Sequence, residues 1–334
     1  MAPEPPTVVT VLGDGGWGTA LAMVALRAGH EVRLWSAFPD YAAEVARTRR
    51  NRKFLPGVEV PAGILITGDA ARALAGATTV IVAIPTQFVR EAASRVAGEI
   101  PKDCLLVSAA KGLERGTLLR PSEILGELLP GRTVVVLSGP SHAEEVARGL
   151  PASVVSASER APAARAVQEL LMGPTLRIYT SPDVLGVELA AALKNVVALA
   201  AGMSDGLGLG DNAKAALVTR ALVELTRLGV ALGAQASTFT GLSGLGDLVV
   251  TCTSRHSRNR RVGERLGRGE KLAEILAGTE QVAEGVTTAE AILALAQRSG
   301  VELPIAASVT RILAGADPRD EVRSLMTRAP KAER

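Results

Sequence analysis

Three glycines near the amino terminus have a spacing that lets the backbone approach a phosphate closely. Gly13, Gly15 and Gly18 form G-x-G-x-x-G directly after the apolar run VVTVL and begin a helix that Gly29 is expected to end. In this context the glycines permit a tight turn, contact between backbone and pyrophosphate, and close packing of helix on strand, while the helix N-terminus attracts negative charge. The pattern predicts dinucleotide binding, and a glycine-rich turn without a ligand is the alternative.

A second phosphate-binding group is predicted further along the chain. Ser257, Arg258 and Asn259 offer a hydroxyl, a guanidinium and an amide at the expected start of a helix. The arginines between residues 255 and 261 suggest a nucleic-acid patch as a competing interpretation, but no aromatic side chains alternate with them for base stacking. A solvated basic surface is the third interpretation.

Lys194 lies within ELAAALKNVVALAAGM, residues 188–203, where alanine, leucine and valine surround it on every side. This pattern is typical of a buried helix. A buried ammonium requires a partner, because removing it from water costs more than its methylenes return. The alternative is a lysine whose methylenes follow the helix while its charged end reaches water.

Further polar side chains follow predicted strands at the edge where ligands bind in open α/β sheets. Lys111 follows the apolar run of DCLLVSAA, with a surface lysine as the alternative. Ser141 follows the strand that ends at Ser138, and with Glu144 it is expected to form a capping box.

Asp247 follows a glycine-rich stretch and precedes an apolar run. We expect it to cap a helix or to lie inside one. Thr251 comes four residues later and therefore lies on the same face.

The end of the second predicted strand, HEVRLW, leaves the cofactor type open. NAD-binding domains usually carry Asp or Glu there to hold the ribose 2′-hydroxyl. Here the strand continues into Ser36 and Ala37, and the nearest cation, Arg33, lies within the strand. NAD and NADP are both compatible with this sequence.

The elements that must position these residues divide the chain in two. Seven short apolar runs alternate with helical stretches up to about Ser181, namely TVVTVL, HEVRLW, TTVIVAIP, DCLLVSAA, TVVVLSG, ASVVSAS and LRIYT. Most are continuous rather than alternating, as in parallel strands buried on both faces. After Pro182 helical periodicity replaces the strands. The predicted fold is α/β, with a Rossmann-type parallel sheet domain over residues 1–182 followed by an all-helical domain over residues 183–334.

Several helix boundaries in the second half are marked by local signals. Pro304 and Pro318 are expected in first turns, the latter after Asp317 as N-cap. Thr287 and Glu290 are expected to form a capping box. Helix ends are expected at three glycines, Gly278, Gly300 and Gly315.

Composition narrows the class of protein. A formal net charge of +3 over 334 residues argues against general adhesion to nucleic acid or membranes. Cys104 and Cys252 are the only cysteines, they have no metal-ligand spacing, and no metal site is expected. The start MAPEPP lacks a signal pattern, and no uninterrupted apolar run has the length of a membrane span, so we expect a cytoplasmic protein.

Taken together, the motifs resemble the bacterial NAD(P)-dependent glycerol-3-phosphate dehydrogenases. The resemblance covers nearly the whole chain and is carried by GDGGWGTALA, NRKFLPG, AAKGLE, SGPSHAEE, ALKNVVALAAGMSDGLGLGDNAKAAL, GLGDLVVTCTSRHSRNRR and QVAEG. It implies a Rossmann domain joined to a helical domain, and NAD(P)H-dependent interconversion of sn-glycerol 3-phosphate and dihydroxyacetone phosphate. It also implies a homodimer and a supply of glycerol 3-phosphate for phospholipid synthesis.

The resemblance also implies roles for the reacting residues. Lys194 is the general base, Lys111 contacts substrate and cofactor, and Asp247 with Thr251 completes the reacting cluster. Asn195 orients the substrate or Lys194. A base works best with a pKa near the working pH, and burial beside a second cation would lower the pKa of Lys194, whereas an ionised Asp247 would oppose that change.

Binding positions follow in the same way. The implied substrate positions, besides Lys111, Lys194 and Asp247, are Gly139, Ser141, Ser257, Arg258 and Asn259. The implied cofactor positions, besides Lys111 and the motif glycines, are Gly16, Trp17, Ala37, Ala143, Arg258, Val282 and Glu284.

Two residues depart from the family pattern. Asp14 replaces a small residue in the glycine loop, and its carboxylate would repel a pyrophosphate unless it points away. Ala37 stands where relatives often carry a basic or polar residue near the adenosine ribose, which bears on the preference for NADP.

Two other functions are compatible with the sequence. An enzyme of the same architecture acting on a 3-hydroxy acid would also pair lysine with asparagine, but the group at residues 257–259 suits a small phosphorylated substrate. A non-catalytic dinucleotide sensor has no need for a buried lysine.

Overall fold

The computed structural model describes residues 7–278, 283–330 and 332–333. Within them, eight strands form one sheet in the order β3-β2-β1-β4-β5-β6-β7-β8. The strands are β1 (Val8–Leu12), β2 (Glu31–Trp35), β3 (Ile64–Thr67), β4 (Thr79–Val82), β5 (Leu105–Ser108), β6 (Val134–Ser138), β7 (Ala152–Ala157) and β8 (Leu176–Ser181).

Helices occupy both faces of the sheet and the second half of the chain. Those interleaved with the strands are α1 (Gly16–Arg27), α2 (Pro39–Thr48), α3 (Ala70–Leu74), α4 (Thr86–Val96), α5 (Pro121–Leu128), α6 (Ala143–Ala147) and α7 (Ala161–Leu171). The later helices are α8 (Val184–Gly206), α9 (Gly210–Ala231), α10 (Ala236–Thr240), α11 (Asp247–Thr253), α12 (Arg258–Gly267), α13 (Leu272–Ala277), α14 (Glu284–Arg298), α15 (Pro304–Leu313) and α16 (Pro318–Met326). One turn of π-helix, Leu242–Gly246, precedes α11.

The predicted fold class is confirmed, and each of the seven apolar runs forms a strand. An eighth strand, β3, was missed. It has only four residues, and buried and half-buried side chains alternate along it because it lies at the edge of the sheet. Its pattern is therefore weaker than that of the central strands, which are buried on both faces.

The sheet is parallel except between β6 and β7, which pair antiparallel. The sheet predicted as parallel therefore contains one antiparallel pairing. The connection between these strands contains only α6, a helix of five residues, and at about 1.5 Å per residue such a helix spans about half the length of a five-residue strand. The connection stays at the carboxyl end of β6 instead of crossing the sheet.

Two apolar layers cover the sheet. On one face, α1, α2, α6 and α7 pack against the strands, with Leu21 and Val167 fully buried. On the other face lie α3, α4 and α5, with Val89 and Ile124 fully buried. This arrangement explains the continuous apolar runs of the central strands, whose residues meet a helix on one side of the sheet or the other.

A separate core surrounds α8. The helix has 23 residues, and Leu199 and Ala198 at its centre are fully buried among α9, α11, α12, α14 and α15. Within the described residues α8 is the one helix long and apolar enough to cross a membrane, but 89% of its most apolar window is buried inside the protein, as is typical of a core helix.

Four glycines bring α8 and α12 into backbone contact. A Cβ added at Gly202 would lie 1.9 Å from Arg260 O, and one at Gly263 would lie 2.0 Å from Leu199 O. One turn further along, a Cβ at Gly206 would lie 2.2 Å from Glu264 O and one at Gly267 would lie 2.4 Å from Met203 O. The two helices therefore pack more closely than side chains would permit, and this packing fixes the start of α12 beside the middle of α8.

Glu188 joins the helical half of the chain to the sheet. Its carboxylate is buried in α8, accepts hydrogen bonds from Arg120 Nη1 at 2.7 Å and Ser122 N at 2.9 Å, and thus contacts the start of α5. Burial raises the pKa of this carboxyl, although the Arg120 guanidinium opposes the increase.

Most predicted helix boundaries are confirmed. Pro304 and Pro318 occupy first turns, and the Asp317 carboxylate accepts from Arg319 N. The capping box of Thr287 and Glu290 is wrong, because α14 begins at Glu284 and the Thr287 hydroxyl donates to Glu284 O inside the helix. The three predicted stop glycines, Gly278, Gly300 and Gly315, each lie just beyond a helix end.

Candidate active site

Asp247 holds two lysines that come from distant parts of the chain. Lys194 Nζ in α8 donates to Asp247 Oδ1 at 2.6 Å, and Lys111 Nζ, in the loop after β5, donates to Asp247 Oδ2 at 2.8 Å. The carboxylate is 2% exposed, and the side chains of Lys194 and Lys111 are 8% and 16% exposed. The three groups form a nearly dry cluster with two positive charges and one negative charge.

Lys194 does not direct its ammonium to water. Besides Asp247, its Nζ contacts Thr251 Oγ1 at 2.9 Å, and that hydroxyl donates to Asp247 O at 2.5 Å. Burial lowers the pKa of Lys194 to about 8, and the charge of Lys111 adds to this effect while Asp247 opposes it. The alternative of a surface-seeking lysine is therefore wrong, and Lys194 has a pKa suited to proton transfer near neutral pH.

The charge on Asp247 is maintained by the same contacts. Burial alone would raise the pKa of its carboxyl, but the two ammonium groups hold that pKa below its usual range. Asp247 is the first residue of α11, and the π-helical turn before it continues directly into the helix. Of the two positions predicted for Asp247, the structure has the one inside a helix, and the side chain does not cap the helix.

Gly139 and Ser141 lie next to Lys111 at the carboxyl end of β6. Lys111 Nζ donates to Gly139 O at 3.1 Å, and Ser141 Oγ donates to the same carbonyl at 2.9 Å. The capping box of Ser141 and Glu144 is wrong, because α6 begins at Ala143 with His142 before it and no side-chain cap. The Ser141 hydroxyl therefore faces the lysine cluster and not a helix end.

The start of α12 lies beside Asn195. Asn259 Nδ2 donates to Asn195 Oδ1 at 3.0 Å, and Asn259 Oδ1 accepts from Gly285 N at 3.0 Å. Ser257 Oγ accepts from Arg260 N and caps α12, while Arg258 is exposed at its first position. The three residues predicted to bind phosphate thus lie together at the N-terminus of α12. Through Asn259 this helix start contacts Asn195, the residue after Lys194 in α8.

The glycine loop has the shape that a dinucleotide requires. Gly13 has φ of +111°, and a Cβ there would lie 2.7 Å from Ala83 O; a Cβ at Gly18 would lie 1.9 Å from Gly13 O. A Cβ at Gly15 would meet nothing within 4 Å. Gly13 and Gly18 thus close the turn tightly, and open space lies beside Gly15 where a pyrophosphate would approach the helix N-terminus.

Comparison with known proteins agrees with this geometry. Residues 8–164 match the model of the NAD-dependent glycerol-3-phosphate dehydrogenase N-terminus, and residues 183–323 match that of the C-terminus. The chain belongs to this family.

Relatives of the family match along almost their whole length. Glycerol-3-phosphate dehydrogenase [NAD(P)+] of Prosthecochloris aestuarii is 47% identical over 98% of this chain and 99% of its own, and that of Geobacillus kaustophilus is 49% identical over 97% and 96%. A crystal structure of glycerol-3-phosphate dehydrogenase from Coxiella burnetii has a TM-score of 0.93 at 39% identity, covering 97% of this chain and 99% of that one.

Several family cofactor positions lie together beside the glycine loop. A Cβ at Gly16 would lie 2.6 Å from Phe54 O and 3.5 Å from Ala143 Cβ. Trp17 Nε1 is buried without a hydrogen-bond partner among the described residues. Buried donors are normally paired, so the unpaired Trp17 N–H fits a site in which the dinucleotide that the family name specifies supplies the acceptor.

Glu284 connects this cleft to the helical half of the dehydrogenase fold. It is the first residue of α14, and its Oε1 accepts from Thr86 N at the start of α4 at 3.3 Å. Burial raises the pKa of the Glu284 carboxyl, with Arg258 as the main opposing charge. Arg258 is thus close enough to Glu284 for its charge to act on that carboxyl, and the shared cofactor role of the two residues stays a prediction. Val282 lies outside the described residues.

Three residues near the end of β2 bear on how the adenosine part of the cofactor would be bound: Arg33, Ala37 and Asp14. Arg33 is committed elsewhere, because its guanidinium donates to Ala75 O at 2.5 Å and pairs with Glu31. Ala37 is half-buried just beyond β2 and carries no charge. Asp14 is only 6% exposed, so its carboxyl is turned away from bulk water.

His142 lies within the SGPSHAEE motif but has no predicted role. The His142 ring lies 5.9 Å from that of His256, and its Nε2 is buried without a hydrogen-bond partner among the described residues. Burial lowers the pKa of His142, and the charge of Lys194 adds to the effect. A titratable residue directly after Ser141 was the signal that could have identified it.

Metal ligands are not grouped in this site. Within the described residues, no three or more His, Cys, Asp or Glu side chains are placed to hold an ion. Cys104 lies just before β5 and Cys252 lies in α11, and both are free thiols. Burial raises the pKa of Cys252 to about 12, so that thiol is unreactive near neutral pH.

Proposed function

We propose that this chain catalyses NAD(P)-dependent interconversion of sn-glycerol 3-phosphate and dihydroxyacetone phosphate. The observation that carries the proposal is the cluster of Lys194, Asp247 and Lys111 beside the N-terminus of α12, in a chain that belongs to the glycerol-3-phosphate dehydrogenase family. The cluster can transfer a proton at a secondary alcohol, and the helix N-terminus can bind a phosphate. A nicotinamide cofactor, when bound, accepts or supplies the hydride.

The substrate phosphate is held at the start of α12. Arg258 supplies a guanidinium fork there, and the N-terminal N–H groups of the helix supply further donors. Ser257 Oγ already accepts from Arg260 N, so its hydroxyl hydrogen remains able to donate to a phosphate oxygen. Asn259 is held by Asn195 and Gly285, and it positions this helix start against α8.

Lys194 then acts on the substrate oxygen. In the oxidative direction its neutral amine removes the hydroxyl proton as hydride leaves carbon. In the reductive direction its ammonium protonates the developing alkoxide. A pKa of about 8 leaves both protonation states accessible near neutral pH.

Asp247 and Lys111 set the conditions for this proton transfer. Asp247 fixes the Lys194 ammonium by a short ion pair, and Thr251 provides a second contact that determines its direction. Lys111 lies at the carboxyl end of β5, where it is able to contact the substrate oxygen and the cofactor. Asn195, next to Lys194 in α8, orients the substrate through its amide.

The remaining assignments complete the proposal. Residues 1–182 bind the cofactor and residues 183–334 carry the base and the phosphate site, a division supported by the end of β8 at Ser181 and the start of α8 at Val184. The enzyme is a cytoplasmic homodimer, and it supplies glycerol 3-phosphate for phospholipid synthesis.

The proposal is tested by initial rates of NADH and NADPH oxidation with dihydroxyacetone phosphate. We expect rapid turnover for the natural chain and a loss of at least about a hundredfold for Lys194→Ala, since general acid–base catalysis contributes about 10²–10⁴-fold. Lys102→Ala, at an exposed position, is the control and should retain full activity. Absence of turnover with either cofactor would refute the substrate assignment, and full activity of a folded Lys194→Ala variant would refute the mechanism.

A further inference from the structure

The adenosine end of the cofactor cleft lies where β1 and β2 end side by side. Leu12 pairs with Trp35 in parallel register, and Gly13 N donates to Trp35 O at 2.9 Å. The next residues on the two strands are therefore neighbours. The Asp14 carboxyl lies within hydrogen-bonding reach of Ser36, the first residue after β2.

This edge lacks the carboxylate that an NAD-binding sheet normally places on its second strand. Such an acid accepts a hydrogen bond from the ribose 2′-hydroxyl, and it also disfavours the 2′-phosphate of NADP. After Trp35 the chain instead continues with Ser36 and Ala37. No basic group from β2 replaces the acid, because Arg33 is bound to Ala75 O and Glu31.

The Asp14 carboxyl has an unfilled bonding capacity at this position. Its Oδ2 is buried and has no hydrogen-bond partner among the described residues. A buried carboxylate oxygen without a donor is unfavourable, and Asp14 lies between Gly13 and Gly15 in the loop expected to bind the dinucleotide, so its unpartnered oxygen indicates a donor that arrives with the ligand. Burial raises the pKa of this carboxyl, and the Ser36 hydroxyl and the charge of Lys53 oppose the increase.

We propose that Asp14, contributed by the glycine loop, takes the place of the missing carboxylate of β2 and makes this chain select NAD over NADP. Its free oxygen accepts a hydrogen bond from a ribose hydroxyl of NAD, and its charge repels the 2′-phosphate of NADP. The Lys53 ammonium offsets the charge of Asp14 without leaving a net positive charge for that phosphate. The inference rests on the dehydrogenase activity proposed above and specifies its cofactor.

The test is equilibrium binding of NADH and of NADPH, followed by cofactor fluorescence in the absence of substrate. We expect the natural chain to bind NADH at least about tenfold more tightly than NADPH. Asp14→Ala should reduce this preference, the Kd for NADPH divided by the Kd for NADH, by about tenfold or more, because it removes one hydrogen bond to a charged group. Asp14→Asn, which keeps the shape but removes the charge, should strengthen NADPH binding. Asp40→Ala removes an exposed carboxylate from the first turn of α2, and it should leave the ratio unchanged.

Two results would overturn the inference. One is a natural chain that binds NADPH as tightly as NADH or more tightly. The other is a folded Asp14→Asn variant with an unaltered Kd ratio, which would make Asp14 a purely structural residue. Because no substrate is present, failure of the proposed reaction would leave these binding constants unaffected, so the two failures are distinguishable.

Discussion

Lys194 Nζ and Asp247 Oδ1 lie 2.6 Å apart although 53 residues separate them in sequence. The same carboxylate binds Lys111, which is 136 residues from it. One buried anion thus holds two cations at the junction of the sheet and the helical core. Its charge partly restores the pKa of Lys194 that burial lowers, so the cluster determines at which pH the lysine loses its proton.

The first prediction concerns pH. Oxidation of glycerol 3-phosphate requires neutral Lys194, so kcat/KM should rise with pH through about 8, the pKa of that lysine. Reduction requires the ammonium, so its rate should fall as pH rises through the same value. Lys111→Met removes a charge that lowers this pKa, and the midpoint of the oxidative profile should move to higher pH. A midpoint that stays in place or moves lower would contradict this account of the cluster.

The second prediction separates a phosphate site from a basic surface. Arg258→Ala should raise KM for dihydroxyacetone phosphate by about ten- to hundredfold, because a hydrogen bond to a charged group contributes about 1.5–3 kcal/mol. Arg261→Ala removes another exposed arginine from the same helix and should change KM little. Steady-state kinetics at fixed ionic strength make the comparison. Equal effects of the two substitutions would favour a general electrostatic surface instead of a specific site.

The third prediction concerns the contact between α8 and α12. Gly263→Ala places a methyl 2.0 Å from Leu199 O, so the helices must separate, and overpacking of this kind costs about 1–3 kcal/mol or more. Gly126→Ala in α5 is the matched control, because its Cβ would meet nothing within 4 Å. Alanine stabilises a helix interior by about 0.5–1 kcal/mol relative to glycine, so this control should be neutral or more stable. Urea unfolding gives the free energy of unfolding of each variant. A Gly263→Ala variant as stable as the natural chain would show that α8 and α12 tolerate separation.

The fourth prediction concerns Glu224, a carboxyl in α9 that is 7% exposed and accepts from Ile305 N at 3.0 Å. Burial raises its pKa to about 7, although the N–H groups of Ile305 and Ala306 oppose the increase. Between about pH 4.5 and 7 the folded chain therefore holds a proton that the unfolded chain has released. Its contribution to the free energy of unfolding falls as pH rises through this window, by about 3 kcal/mol in all.

Glu224→Gln keeps an acceptor for Ile305 N but does not titrate. Its stability relative to the natural chain should increase from pH 4.5 to pH 8, as measured by urea unfolding at each pH. The exposed Glu169→Gln serves as control. A constant difference between the Glu224→Gln variant and the natural chain at all pH values would show that this carboxyl does not titrate differently in the folded state.

Much of this protein was determined by local sequence alone. Short runs rich in Val, Leu and Ile identified seven of the eight strands, because the central strands are covered by helices on both faces and are mostly apolar. The glycine spacing identified the turn before α1, since only glycine accepts φ of +111° at Gly13 without strain. The apolar surroundings of Lys194 indicated its burial, and the motifs identified the family.

What the sequence left open depended on contacts between distant segments. The pKa of Lys194 results from burial by several helices and from the charges of Asp247, Lys111 and Glu284 on other segments, which no local pattern contains. Ser141 fits a capping box in sequence, but its hydroxyl bonds Gly139 O because α6 begins later than the motif suggests. The position of Asp14 beside Ser36 follows from the parallel pairing of β1 with β2. Periodicity reports which side chains are buried, whereas only the tertiary structure decides which groups meet there and therefore which protons and ligands they hold.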